Sequence, residues 1–251
     1  SINLPYFALF RVTMLYIIVP AHNEAKNIGR VISDLFSQGI QNIVVVDDGS
    51  GDDTVAQAKA AGAVVLRHEV NRGQGAALQT GNEYAVKNGA SFVIHFDADG
   101  QFNPADIYQA LAVMKEKGAD VLLGSRFLDN RSQMPWTKKY IVLPVARLIN
   151  SFLTGLKLTD AHNGFRILSR RALLKINISH DRMAHNSEII KQIKTHNLPF
   201  VEHPVQVKYF EYGQGVAGGL KIIWEILSRF CFEQNRGSAI SSKRNRDIDL
   251  N

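Results

Sequence analysis

Residues 91–101, SFVIHFDADGQ, join a short apolar run directly to two carboxylates that stand one residue apart. The apolar run, residues 92–96, is short and rich in β-forming side chains, so it predicts a buried strand. Because side chains alternate along a strand, we expect Asp97 and Asp99 to face the same way just beyond its end. Neighbouring carboxylates favour Mg²⁺ or Mn²⁺, and Mg²⁺ usually shares its ligands with substrate phosphates. The stretch therefore suggests a metal site for a diphosphate, although an ordinary acidic loop has the same pattern.

Strand and helix patterns alternate on both sides of this stretch, with short connections between them. Strands are predicted at residues 15–19, 42–46, 63–67, 92–96 and 120–124, and helices at residues 27–38, 54–61, from the loop at 71–77 to about 87, and 104–117. This alternation predicts an α/β fold, with a doubly wound, mostly parallel sheet and helices on both faces. Ligands of such sheets bind beyond the carboxyl ends of the strands, where the polar loops of this sequence lie.

The pattern becomes less regular after residue 127. Helices are predicted at residues 142–156, 170–176, 186–195 and from 220 onward, with a polar loop at 159–166 and a strand at 200–209. Met14 directly precedes the first strand, which suggests that the native chain starts there. The expected organisation is a non-native or disordered leader at residues 1–13, a domain at 14–232 with a nucleotide-binding part at 14–127 and an acceptor part at 128–232, and a basic polar tail at 233–251.

Composition narrows the class of protein. The chain has 251 residues, a formal net charge of +6 and one cysteine, Cys231, which excludes an internal disulfide framework and suits a reducing compartment. It has no run of about 20 apolar residues, so no transmembrane helix is predicted and a cytoplasmic location is expected. P-loop, zinc-site and Gly-x-Gly-x-x-Gly dinucleotide patterns are missing, and no basic run with interleaved aromatic residues predicts binding to nucleic acid.

Four motifs carry a resemblance to a known family. They are PAHNE at residues 20–24, DDGSGDDT at 47–54, NRGQGA at 71–76 and DADGQ at 97–101. Their order and spacing resemble those of family 2 glycosyltransferases, most closely the branch of dolichyl- or polyprenyl-phosphate sugar synthases. The resemblance is strong over residues 15–127 and weaker at 160–166. It implies a GT-A fold and an inverting transfer of a sugar from a nucleoside-diphosphate sugar.

The resemblance also implies which residues bind the donor. The nucleotide sugar would contact Pro20, Ala21, Asn23, Glu24, Asp48, Gly49, Gly75, Asp97 and Ala98. Asp97, Asp99 and Gln101 would hold the Mg²⁺ or Mn²⁺ ion that bridges the diphosphate. Such an ion stabilises the charge that builds on the departing diphosphate.

The nature of the acceptor determines which further residues the reaction needs. A lipid phosphate is already ionised near neutral pH, so it needs cations rather than a general base, and Arg126, Arg147 and Arg166 are candidates. A saccharide hydroxyl would need a base, and Asp160 is the carboxylate best placed by its motif. Arg126 and Asp160 are therefore the candidate catalytic residues. We favour a polyprenyl-type lipid phosphate used in envelope glycan assembly; the alternatives are a saccharide hydroxyl and a non-catalytic nucleotide-sugar-binding protein.

A membrane surface is a further candidate partner. The helix predicted at residues 220–231 places Ile223, Trp224 and Leu227 on one face, and the basic tail follows it. Such a helix either lies in a membrane interface, helped by the basic residues, or packs its apolar face on the domain. The first alternative predicts a peripheral protein on the inner face of the cell membrane.

Overall fold

The strand β1 (Leu15–Ala21) lies inside a sheet because its run LYIIVPA is apolar on both faces. The computed structural model describes residues 14–129, 155–161, 163–179 and 185–208. Its further strands are β2 (Asn42–Asp48), β3 (Val64–His68), β4 (Phe92–His95), β5 (Val121–Ser125), β6 (Arg166–Ser169) and β7 (Phe200–Pro204). Its helices are α1 (Ile28–Ser37), α2 (Thr54–Ala60), α3 (Gln74–Lys87), α4 (Asp106–Glu116), α5 (Arg170–Leu173) and α6 (His185–Thr195). The strands form one seven-stranded sheet in the order β3-β2-β1-β4-β6-β5-β7.

The predicted α/β fold with a mostly parallel sheet is confirmed. β1 pairs in parallel with β2 and β4, β2 with β3, and β5 with β7. β6 was not predicted, because its four residues directly follow a polar loop and are too few to show a period. It runs antiparallel between β4 and β5 and places Arg166 opposite His95.

Helices cover both faces of the sheet, as predicted. Ile17 and Val19 point to one face, where they join buried side chains of α1 and α4. Ile18 points to the other face, where it joins α3, α5 and α6. At Gly81 of α3, an added Cβ atom would lie 2.3 Å from Cγ2 of Ile18, so only glycine allows this helix to pack so closely on β1. This close packing holds the first turn of α3 beside the strand ends that form the site.

Several element boundaries differ from their predictions. β4 ends at His95, and residues 98–100 form a turn rather than an extension of the strand. Asp97 and Asp99 therefore lie beyond the strand, and the alternation of strand side chains does not determine which way they face. β7 ends at Pro204 instead of residue 209, and α5 ends at Leu173 instead of residue 176.

Some predictions concern residues outside the described ranges. They are the leader at residues 1–13, Arg147, most of the helix at 142–156, the helix from 220 and the tail at 233–251. The described residues belong to a single compact unit. Within these described ranges, no helix is both long and apolar enough to cross a membrane.

Candidate active site

A cleft of about 340 Å³ opens where β1, β2 and β4 end, beside the first turn of α3. Its lining residues are Pro20, Ala21, His22, Glu24, Asp48, Asn71, Gly73, Gln74, Ala77, Asp97, Ala98 and Asp99. The carboxyl ends of parallel strands meet at one edge of the sheet, which is why segments far apart in the chain share this cleft. The predicted donor residues Asn23, Gly49 and Gly75 are not among the lining residues.

The carboxylates of Glu24, Asp97 and Asp99 all line the cleft. Oδ1 of Asp97 accepts a hydrogen bond of 3.0 Å from Nε2 of Gln74. Burial first, and then the nearby charge of Asp99, raise the pKa of Asp97 to about 6. Burial also raises the pKa of Asp99, and the charge of Glu24 adds to this effect. Because their mutual repulsion is only partly compensated by the protein, these carboxylates form a site that favours a cation.

The described residues supply two candidate metal ligands, both carboxylates, rather than a complete set of ligands. Among them, no group of three or more His, Cys, Asp or Glu side chains is arranged to hold a metal ion. Asp97 and Asp99 nevertheless both line the cleft. Two carboxylates with substrate phosphates and water are a common arrangement for Mg²⁺, so the residues present fit an ion that arrives with a diphosphate.

Gln101, the third predicted metal ligand, supports the site through its main chain. Its backbone N–H donates to Oδ1 of Asp99 at 2.9 Å, and its carbonyl accepts from the N–H of Lys208 at 2.9 Å. Its side chain does not line the cleft. Its role as a metal ligand remains a prediction.

Asp48 borders the cleft and also anchors the loop before α3. Its carboxylate accepts hydrogen bonds from Nδ1 of His68 at 2.8 Å, from the N–H of Arg72 at 2.9 Å and from the N–H of Gly73 at 2.6 Å. Burial would raise the pKa of Asp48, but these hydrogen bonds together hold it below its usual value. Through these hydrogen bonds, the carboxylate of Asp48 holds Gly73 and the start of α3 against β2.

Two other predicted donor residues shape the loops around the cleft. Gly49 has φ +70°, and an added Cβ atom would lie 2.7 Å from the backbone nitrogen of Asn71. Asn23 also has a positive φ of 57°, and its Oδ1 accepts from the N–H of Gly51 at 2.9 Å. Both residues therefore bring neighbouring loops together, while Gly75 is buried within the first turn of α3.

The buried carboxylate of Asp160 forms an ion pair with the partly exposed side chain of Arg126. Nε of Arg126 lies 2.6 Å from Oδ2 of Asp160, and Nη2 lies 2.7 Å from Oδ1. The backbone N–H of Arg126 and Nδ2 of Asn163 also donate to Oδ2. Burial would raise the pKa of Asp160, but the bonds and charge of Arg126 outweigh it and leave this pKa below its usual value. A carboxylate that is bonded at both oxygens and holds its proton weakly is a poor general base.

Arg166 is one of the candidate cations for the acceptor phosphate, and the structure places its side chain in the interior. It is 1% exposed, and its Nη2 donates to Oδ1 of Asn186 at 2.6 Å. Burial lowers its pKa to about 10, although the charges of Asp97 and Asp160 act in the opposite direction. The buried guanidinium thus lies near enough to Asp97 and Asp160 for its charge to act on both carboxylates, and its role in binding an acceptor remains a prediction.

Sequence reasoning missed Gln74 and Gly164. Gln74 binds the carboxylate of Asp97 and lies within the NRGQGA motif, so that motif was the available signal. Gly164 lies against the carboxylate of Asp97, although it is 67 residues further along the chain than Asp97. No local sequence pattern predicts this contact, because the turn after β4 and the loop before β6 come together only in the folded sheet.

Comparisons with known proteins identify the family of this chain. The family model described as Glycosyl transferase family 2 matches residues 16–176. UDP-N-acetylglucosamine–dolichyl-phosphate N-acetylglucosaminyltransferase from Methanococcus voltae is 32% identical over 239 residues, which cover 85% of this chain and 95% of that protein. Polyprenol monophosphomannose synthase from Mycolicibacterium smegmatis is 30% identical over 171 residues, which cover 65% of this chain and 64% of that protein.

Solved structures show the same fold. Glucosyl-3-phosphoglycerate synthase from Mycobacterium tuberculosis, crystallised with Mn²⁺, uridine diphosphate and glucosyl-3-phosphoglycerate, superposes with a TM-score of 0.62 at 19% identity. The match covers 89% of this chain and 82% of that one. At this identity the likeness concerns the fold, and it confirms the predicted GT-A architecture.

Proposed function

The chain belongs to glycosyl transferase family 2, and from that premise we propose that it transfers a sugar from a nucleoside-diphosphate sugar to a polyprenyl-type lipid phosphate. The transfer inverts the anomeric centre, because the acceptor attacks the anomeric carbon on the side opposite the departing nucleotide. The observation that carries the donor half of the proposal is the cleft in which Asp97 and Asp99 meet at the strand ends.

The protein contributes binding and orientation at the diphosphate. Asp97 and Asp99 would hold a divalent ion, Mg²⁺ or Mn²⁺, and the bound ion would supply charge neutralisation for the leaving diphosphate. Gly73 and Gln74 line the cleft at the start of α3, whose first N–H groups have no partners within the helix and suit phosphate oxygens. Asp48 keeps that helix start in place. The related structure with Mn²⁺ and uridine diphosphate supports this assignment.

The ion pair at Asp160 supports a phosphate acceptor. A hydroxyl acceptor needs a base, and Asp160 is bonded at both oxygens to Arg126 and holds its proton weakly. A phosphate acceptor needs a positive group instead, and Arg126 is a partly exposed guanidinium, 22% exposed at its side chain, which Asp160 fixes in orientation. The names of the two relatives, which specify dolichyl phosphate and a polyprenol product, support the same acceptor class.

Donor binding is tested by thermal unfolding. We expect UDP or GDP at about 100 times its Kd, together with Mn²⁺, to raise the melting temperature by about 5–10 °C, since a ligand that binds only the folded chain stabilises it by mass action. UMP and GMP with Mn²⁺ are the matched controls, because they lack the second phosphate that a metal would bridge. Equal shifts with mono- and diphosphates, or equal shifts in EDTA, would contradict the metal-bridged diphosphate.

Acceptor class is tested by a transfer assay. Radiolabelled UDP-N-acetylglucosamine and GDP-mannose are each incubated with Mn²⁺ and a short polyprenyl phosphate. We expect the label of one donor to enter the organic phase, in a product that mild acid cleaves. The same assay with polyprenol, which lacks the phosphate, is the control. Transfer to polyprenol or to added saccharides, with none to polyprenyl phosphate, would overturn the proposed acceptor.

A further inference from the structure

The carboxylate of Asp97 lies directly against the backbone of Gly164. A Cβ atom added at Gly164 would come within 2.4 Å of Oδ2 of Asp97 and within 3.0 Å of both Cγ and Oδ1. Side-chain atoms do not approach that closely, so any residue other than glycine would have to displace this carboxylate. Oδ1 of the same carboxylate also accepts a hydrogen bond from Nε2 of Gln74 at 3.0 Å. Asp97 is therefore confined between a helix start and a loop.

The loop that carries Gly164 has little room to retreat. The backbone N–H of Phe165 donates to Oδ1 of Asn163 at 2.9 Å, and Nδ2 of Asn163 donates to Asp160. The carbonyl of Phe165 accepts from the N–H of Gly124 at 2.9 Å, and a Cβ atom at Gly124 would lie 3.0 Å from that oxygen. The loop is thus fastened to the end of β5.

An aromatic cluster fixes the same loop from the core side. The ring of Phe165 is 1% exposed and packs edge-on against Phe102 and Phe96, with ring centroids 5.8 Å and 6.4 Å away. Phe96 directly precedes Asp97 in the chain. The loop and the carboxylate-bearing turn therefore share one rigid support, and a bulkier residue at position 164 would move the Asp97 side chain rather than the loop.

We propose that Gly164 is a positioning residue for the donor site: its missing side chain leaves the space that the Asp97 carboxylate occupies. This rests on the proposed function, which assigns Asp97 to the site that would hold the divalent ion. It also means that one loop serves both halves of the reaction. Through Asp160 this loop orients Arg126, and through Gly164 it orients Asp97.

The test is the Gly164→Ala variant, with Gly29→Ala as the matched control. Gly29 lies in α1, where an added Cβ atom would meet only Oε1 of Gln57 at 4.0 Å. Free Mn²⁺ is titrated by electron paramagnetic resonance in the presence of UDP or GDP, whichever stabilises the wild type. We expect the Kd for Mn²⁺ to rise about 10- to 100-fold in Gly164→Ala, as is typical when the support of a metal ligand is lost, and to stay unchanged in Gly29→Ala.

Two further measurements separate positioning from general structural support. Under the proposal, the ligand-free melting temperature and the nucleotide affinity in EDTA stay close to wild type, whereas damage to the fold would change both. If Gly164→Ala does not fold, Asn163→Ala replaces it as the test, because it loosens the same turn. This variant should also weaken Mn²⁺ binding while the ligand-free melting temperature and the nucleotide affinity in EDTA stay close to wild type. Unchanged Mn²⁺ affinity in Gly164→Ala, or loss of folding in both variants, would overturn the inference. A wild type that binds neither Mn²⁺–UDP nor Mn²⁺–GDP would instead refute the proposed function.

Discussion

Replacing Asp97 by asparagine is expected to abolish the stabilisation by Mn²⁺ and nucleoside diphosphate and to lower turnover by about 10²- to 10³-fold or more, the range typical for losing one charge-stabilising group. Asparagine keeps the shape of aspartate, and its oxygen can still accept from Nε2 of Gln74. It lacks the negative charge that would bind a divalent ion. The change therefore removes the proposed chemistry while preserving the packing.

The same variant should be no less stable than the wild type when no ligand is present. The pKa of Asp97 is raised to about 6 in the folded chain from its ordinary value of 3.8. Folding thus disfavours the charged form of Asp97, which lowers the free energy of unfolding. This destabilisation is fully present above pH 6 and disappears as the pH falls toward 4. Neutral asparagine has no such cost at pH 7.5. Urea denaturation at that pH measures the difference.

Asp34→Asn is the matched control for Asp97→Asn. Asp34 is exposed on α1 and does not line the cleft, so its replacement should alter neither the Mn²⁺-dependent melting shift nor turnover. A variant Asp97→Asn that still shows the full Mn²⁺-dependent shift would refute the metal assignment. One that loses the shift only because it is unfolded would be recognised by its ligand-free melting curve.

Replacing Arg126 by methionine is expected to destabilise the folded chain by about 3–5 kcal/mol, the range for leaving a buried charge without its ion-pair partner. Asp160 is 3% exposed at its side chain and would keep its negative charge without its bidentate partner. Asn163 alone would remain as its side-chain donor among the hydrogen bonds described here. The free energy of unfolding from urea titration measures the loss.

The loss from Arg126→Met should depend on pH in a defined direction. In the wild type the pKa of Asp160 is below its ordinary value, so the pair contributes its full stabilisation above about pH 4 and loses it as the pH falls through the lowered pKa. In the variant, burial is no longer opposed by the arginine and raises the pKa of Asp160. The difference in stability between the two proteins should therefore be largest near neutral pH and shrink toward pH 4.

Two variants control the interpretation of Arg126→Met. Arg171 pairs with Asp120 at 3.0 Å, but its side chain is 59% exposed, so Arg171→Met should cost less than about 1 kcal/mol. The double variant Arg126→Met with Asp160→Asn removes the unpaired charge and should recover most of the lost stability. No recovery in the double variant would mean that packing of the arginine, rather than the buried charge of Asp160, causes the loss.

Much of the fold could be predicted because local patterns carry it. β1 and the centre of β2 are apolar, β-branched runs, and the helical period of α1 and α4 is regular, so the existence and order of these elements followed directly. β6 could not be predicted, since a four-residue strand is too short to show alternation. Its antiparallel place between β4 and β5 depends on partners that lie more than 40 positions earlier in the chain.

The candidate site divides in the same way. Asp97, Asp99, Glu24 and Asp48 could be selected because they follow strands, and strand ends share one edge of the sheet. The burial of Arg166, which is 1% exposed, could not be predicted, since the local sequence of a charged residue after a polar loop does not indicate burial. The pairing of Asp160 with Arg126 likewise requires the loop before β6 to lie beside the end of β5.

Local sequence was enough to predict the alternation of strands and helices, the two carboxylates that follow β4 and the family, because each can be recognised from short segments of the chain. The pairing of Asp160 with Arg126 and the contact of Gly164 with Asp97 can be seen only in the folded chain. Those contacts join segments brought together by the insertion of β6 into the sheet. The side chains of Asp160 and Asp97 acquire their charge and orientation from neighbours that local sequence does not identify.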